Sequence, residues 1–183
     1  MLMTPRGFAV ASAAVATAVA VTLAAAAPAL AVGTSATAAT ITVQGGTLSI
    51  TAPTGAGNLG SRATGAGRSR VSGMLGQVRV NDARSAPAGS GWVASVTSTA
   101  FTSSTGPAIP ASAIGYTAGP ITKVGTATYK ANDPTDLTAM VPAVTATEIT
   151  GDNIATWTPT ITVTLPGGVP AGVYHATITH SVA

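Results

Sequence analysis

From residue 39 onward, apolar and polar side chains tend to alternate one by one, the period that puts every second side chain on the same face of a β-strand. Ile41-Thr42-Val43 and Leu48-Ser49-Ile50 alternate around Gly45-Gly46 and predict a hairpin. The stretch from Val71 to Val80 ends in the alternating Val78-Arg79-Val80. Trp92 to Thr97 starts on Trp92 and Ala94 and shifts its parity near Val93 and Val96, which predicts a bulge. Between Ala155 and Leu165, the side chains Trp157, Ile161, Val163 and Leu165 share one parity, with threonines on the other. Tyr174, Ala176, Ile178, His180 and Val182 share one face of a last strand. Threonine and valine dominate these runs; their branched side chains pack well on a pleated surface and lose rotamer freedom in a helix. No segment past residue 39 keeps the i, i+3, i+4 apolar stripe of a helix. Short strands punctuated by glycine and proline predict an all-β fold, a single antiparallel β-sandwich of the Ig-like, Greek-key type over residues 39–183. Residues 51–70 and 103–120 read as longer loops within that domain, not as linkers.

Residues 1–31 break the pattern. Arg6 precedes an Ala/Val-rich run from Gly7 to Ala27, followed by Pro28-Ala29-Leu30-Ala31. One positive charge, an apolar stretch and small residues before a cut form the order of a secretory signal helix. Cleavage is expected after Ala31, or alternatively after Ala38 at Ala36-Thr37-Ala38. The run is also long enough to span a bilayer if left uncut. With cleavage, the protein is expected to be secreted, extracellular or wall-associated, with no further contact with the membrane. The absence of cysteine removes lipid attachment at a lipobox, disulfide staples and thiolate metal sites.

Charge narrows the function classes. Only 7% of residues are charged, against about a quarter in an ordinary domain. The net charge of +3, one unit of it from Arg6, is too small for a nucleic-acid footprint. The charges are nevertheless sorted along the chain. Arg62, Arg68, Arg70, Arg79 and Arg84 precede residue 85, while Asp133, Asp136, Glu148 and Asp152 follow residue 132. The two readings are a sparsely solvated surface and a basic patch facing an anionic cell-wall polymer.

Catalytic chemistry has little to work with. Gly55-Ala56-Gly57-Asn58-Leu59-Gly60 spells a dinucleotide-binding pattern, but it opens no helix and belongs to no βαβ unit. His175 and His180, the candidate bases, stand five apart on one strand and so point to opposite faces. His180 reads as semi-buried and hydrogen-bonded, His175 as a surface residue. Asp133 and Asp136 in Asn132-Asp133-Pro134-Thr135-Asp136 read as a turn; a calcium loop would need more ligands and a bidentate glutamate. No enzyme activity, cofactor or metal is expected. Trp92 and Trp157 have two readings, core packing or platforms that stack on sugar rings.

Val80-Asn81-Asp82-Ala83-Arg84, followed by Gly91-Trp92-Val93-Ala94-Ser95-Val96, resembles the WxL-domain family of Gram-positive surface proteins. Ala155-Thr156-Trp157-Thr158-Pro159 occupies the place of that family's second tryptophan motif. Gly45-Gly46-Thr47-Leu48-Ser49-Ile50 and the closing Gly172 to His180 are similar to actinobacterial relatives. The leucine of each motif is replaced, by Ala94 and by Pro159. The resemblance implies an exported β-rich domain over residues 39–183 that attaches non-covalently to peptidoglycan. Trp92, Trp157, Arg84 and Asp82 are then the candidate ligand-binding residues. Leu165-Pro166-Gly167-Gly168 lacks the threonine and the membrane segment of a sortase signal, so non-covalent attachment is expected. The first expectation is a secreted, non-catalytic protein associated with the cell wall. The second is a structural subunit of a surface assembly or fibre that self-associates by strand pairing. The last is a secreted hydrolase.

Overall fold

The computed structural model describes residues 37–183; the expected signal segment lies outside the described residues. The chain divides into Met1–Ile41 and Thr42–Ala183. Of the first unit only residues 37–41 are described, without regular secondary structure.

The second unit is all-β, with two antiparallel sheets. Its strands are β1 (Leu48–Thr51), β2 (Ser69–Met74), β3 (Val78–Ser98), β4 (Ile114–Thr117), β5 (Thr122–Ala131), β6 (Val141–Trp157), β7 (Thr160–Leu165) and β8 (Ile178–Val182). One sheet runs β1-β3-β6-β5, with β8 also on β3; the other runs β2-β7-β4. β1 covers Arg79 to Asp82 of β3 and β8 covers Ala94 to Ser98, so the two short strands flank different stretches of one long strand. Val93 and Ala183 exchange backbone hydrogen bonds of 2.8 and 3.1 Å, which prolong the β8 ladder by one pair.

Alternation dictates the core. Val78 and Val80, then Trp92, Ala94 and Val96 of β3 turn inward, as do Ala155 and Trp157 of β6 and Ile161 and Val163 of β7. Together with Ile114 and Tyr116 of β4 they form one buried cluster with contributions from both sheets. All the described residues of this cluster lie between Leu48 and Val182. A chain beginning at residue 37 therefore carries every described member of it.

Several local expectations are corrected. Ile41 and Val43 do not pair with Leu48–Ile50; they are 86% and 80% exposed, and β1 pairs with β3 instead. Gly45 and Gly46 serve close approach, not reversal: a Cβ at Gly45 would come within 2.6 Å of Arg84 O, and one at Gly46 within 2.9 Å of Ala83 Cβ. Val78-Arg79-Val80 and Trp92 to Thr97 are not separate strands but parts of β3, which pairs with β6 over almost its full length. The register slips on the way, with Asp82 opposite Asn153, Ala86 opposite Gly151 and Ser90 opposite Ile149, so β3 bulges out twice. Inward parity from Trp92 to Ser98 is unbroken. The irregularity expected there is carried by β6: Ala94 faces Val144 and Ser95 faces Pro142, which leaves Ala143 as the extra residue. Residues 155–165 keep their parity but change sheet at Thr158-Pro159. The stretch 103–120 is not all loop, since it holds β4, and Ser69-Arg70 belong to β2.

Candidate functional site

Asp82, Arg84 and Trp92 converge on one buried polar network. The Asp82 carboxylate is fully buried, while the Arg84 side chain is 37% exposed. Arg84 reaches back two residues and donates Nε to Asp82 Oδ1 at 2.8 Å and Nη2 to Oδ2 at 2.9 Å, a bidentate fork. The Arg84 backbone N–H donates to Oδ1 at 3.1 Å, and Nη2 also donates to Gly91 O at 3.2 Å. The guanidinium thus ties Asp82 to Gly91, on either side of both β3 bulges. Oδ2 also accepts from Asn153 Nδ2 at 3.2 Å. Asn153 Oδ1 in turn accepts from Trp92 Nε1 and from Tyr129 Oη, both at 3.1 Å. The Trp92 and Tyr129 rings lie 5.7 Å apart, tilted by 51°. The hydrogen bonds from Arg84 hold Asp82 below the usual carboxylate range against the opposing effect of burial, with Asn153 helping. Burial, and then the Asp82 charge, raise Tyr129.

Trp157 belongs elsewhere. It pairs with Val78 at the start of β3, whereas Trp92 pairs with Ala146 well along the same ladder. Trp157 Nε1 donates to Tyr116 Oη at 2.7 Å, a bond between the two sheets. Tyr116 Oη lies 3.3 Å from His180 Nε2. An indole can only donate, so Tyr116 Oη accepts from Trp157; which of Tyr116 Oη and His180 Nε2 donates to the other depends on the imidazole tautomer. His180 Nδ1 is buried and without a partner. Burial lowers the His180 pKa and raises that of Tyr116.

Both tryptophans are 2% exposed, so each occupies the core and neither offers a ring face to a sugar. The third positions of the two motifs, Ala94 and Pro159, are buried as well. Of the candidate residues Arg84 is the exposed one, and Tyr129 of the same network is half-buried. Asn153, Tyr129, Tyr116 and the His180 contact were not singled out from the sequence. Trp92 and Asn153 are 61 residues apart, and only the β3–β6 register brings them together.

A second arrangement concerns charge. Every acidic side chain of the described residues is held in a hydrogen bond. Asp133 accepts from Ala118 N and Asp136 from Thr138 N, both at 2.8 Å. Glu148 accepts from Thr128 Oγ1 at 2.7 Å, and Asp152 from Ser85 N at 2.8 Å. The one ion pair among the described residues is Arg84–Asp82. Arg62, Arg68, Arg70 and Arg79 are exposed and have no carboxylate partner among them. Arg70 points outward from β2, beside the loop that carries Arg62 and Arg68, whereas Arg79 stands on the outer face of the other sheet. That loop is seated on β2: Gly73 has Leu59 against its Cα, where a Cβ would collide with the Leu59 backbone. Gly65 O accepts from Gly168 N at 2.9 Å, which ties the loop to the β7–β8 connection.

His180 is partly buried on β8, whereas His175 is exposed and lies before that strand, in an isolated bridge with Thr102, so the two histidines do not share one strand. Among the described residues no three His, Asp or Glu side chains gather as metal ligands would, and no helix is long and apolar enough to cross a membrane. Comparison with protein-family models, with curated proteins and with solved structures gave no match.

Proposed function

We propose that this protein is an exported, non-catalytic β-sandwich of the Ig-like, Greek-key kind that associates non-covalently with the cell wall. Its wall-facing surface is the glycine-rich loop and the adjoining outer face of β2. The observation that carries this reading is the state of the charges. Arg62, Arg68 and Arg70 are exposed and unpaired among the described residues, while every described carboxylate is already engaged. An uncompensated cationic surface attracts a polyanion over roughly the 8–10 Å at which physiological salt screens it. Peptidoglycan, with its peptide carboxylates, and the anionic polymers it carries fit that requirement. The leader at residues 1–31 supports export, and the resemblance around Asp82, Arg84, Trp92 and Trp157 supports a place among WxL-like surface proteins. Within this reading Asp82, Trp92 and Trp157 shape the domain, and Arg84 is the member of that set able to meet a ligand. Purified walls test the proposal. The protein should sediment with them at low ionic strength and return to the supernatant as salt rises well past about 0.15 M. Failure to sediment at any salt concentration would overturn it.

A second reading, self-assembly by strand pairing, is favoured by Ile41 and Val43. These alternate with threonine in a segment without regular secondary structure and are 86% and 80% exposed. Such a segment is a template for adding to a sheet edge. Concentration-dependent oligomers in sedimentation, abolished by Ile41→Asp with Val43→Asp, would support assembly; a monomer at all concentrations would sink it.

A further inference from the structure

Where the glycine-rich loop faces the β7–β8 connection, a groove of about 940 Å3 opens into the domain. Its floor draws on both sheets and on the segment between β3 and β4: Val71, Val163 and Leu165, then Ile178, with Phe101 and Ile109. Several of these side chains are only half-buried, so apolar surface remains open at the bottom of the groove. Its loop wall is polar, with Asn58, Ser61 and Thr64, and carries Arg62. No aspartate or glutamate lines it. The volume lies within the range of small-molecule sites, about 300–1,000 Å3, and an apolar floor with a few polar groups at the rim is their usual composition.

We propose that this groove binds a long-chain fatty acid, its alkyl chain along the floor and its carboxylate at Arg62. The chemistry of the floor decides between ligand classes. A sugar would lay hydroxyls over valine, leucine and isoleucine side chains that cannot hydrogen-bond them, at the cost of unpaired polar groups. An alkyl chain instead removes apolar surface from water on both sides of the contact. The single arginine, with no acid to neutralise it, matches a single anionic head. This inference goes beyond wall association and does not rest on it, since the binding is measured with no wall present.

The test uses the chain from residue 37, which carries the described core and lacks the apolar leader. A fluorescent fatty acid that brightens in apolar surroundings is bound and then displaced by unlabelled ligands. Palmitate should displace it at least tenfold better than laurate, because each added methylene that enters the groove tightens binding. Arg62→Gln, on an exposed loop, should weaken palmitate about three- to fivefold with an unchanged melting curve, as for a partly exposed ion pair. The same variant should leave the neutral alcohol hexadecanol unaffected. Ala176→Trp, which fills the groove, should abolish binding; if it fails to fold, the Arg62 variant and the chain-length series still decide. No displaceable binding, affinity independent of chain length, or undiminished binding by a folded Ala176→Trp would each overturn the proposal. So would binding confined to anionic phospholipid vesicles, with none of the free fatty acid.

Discussion

Asn153 joins three groups: the Asp82 carboxylate, which Arg84 also holds, and the Trp92 indole N–H and Tyr129 hydroxyl, which have no other hydrogen-bond partner among the described residues. Unsatisfied buried polar groups cost about 1–3 kcal/mol each, and such costs are not additive within one network. Asn153→Ala is therefore expected to lower the unfolding free energy by about 3 kcal/mol, read as a shift in the urea midpoint. Protonation acts on two residues in separate ranges. His180 has its pKa depressed by burial below the ordinary 6.5. The folded state thus resists a proton that the unfolded chain accepts, so this stability is complete above 6.5 and declines as the pH falls through that value. Asp82 is depressed below 3.8, so its contribution persists above 3.8 and is lost only in stronger acid. Thermal midpoints should begin to drop below about pH 6.5 in the wild type, and this first drop should be missing in His180→Leu. Asp82 and Arg84 stood out in the sequence through the resemblance around Trp92, as candidate ligand-binding residues, but their mutual fork was not read there. Asn153 did not stand out, because it lies 71 residues from the carboxylate it serves and nothing in its neighbourhood marks it.

The strands that could be read directly are those whose alternation is complete within a few residues. β7 is of this kind, with Ile161, Val163 and Leu165 at every second position, and β8 alternates likewise with His180 between Ile178 and Val182. β3 is different. Its bulges put Pro87, Gly89 and the left-handed Ser85 inside a ladder, and locally they look like a turn between two strands. Only β6 alongside reveals the continuity. The expected hairpin at Gly45-Gly46 failed for a related reason: small residues that permit reversal equally permit two backbones to approach, and the choice lies with a partner far along the chain. Gly73 on β2 makes the same point. Gly73→Ala would press a methyl group into the Leu59 backbone. Overpacking of this kind costs about 1–3 kcal/mol. Amide exchange near residues 58–61 and 72–74 is expected to quicken, with the β3–β6 amides unaffected.

At the scale of the whole molecule, a low-charge chain spends each of its described carboxylates on its own architecture and leaves Arg62, Arg68, Arg70, Arg79, Lys123 and Lys130 without a carboxylate partner among the described residues, the first three on the glycine-rich loop and β2. The sorting of charge along the sequence was visible; which charges are free was not, because that depends on backbone donors such as Ala118 N and Thr138 N. The tryptophans went the other way, conspicuous in the sequence and enclosed in the core. The central claim is that recognition lies on the arginine-bearing loop and not on the tryptophans. Co-sedimentation with purified cell walls at low salt tests it most directly, comparing the wild type, Trp92→Phe and a variant with Arg62, Arg68 and Arg70 all changed to Glu. The wild type and Trp92→Phe should be retained alike while the triple variant, melting normally, stays in solution. Retention of the triple variant, or loss of retention in a normally folded Trp92→Phe, would contradict it.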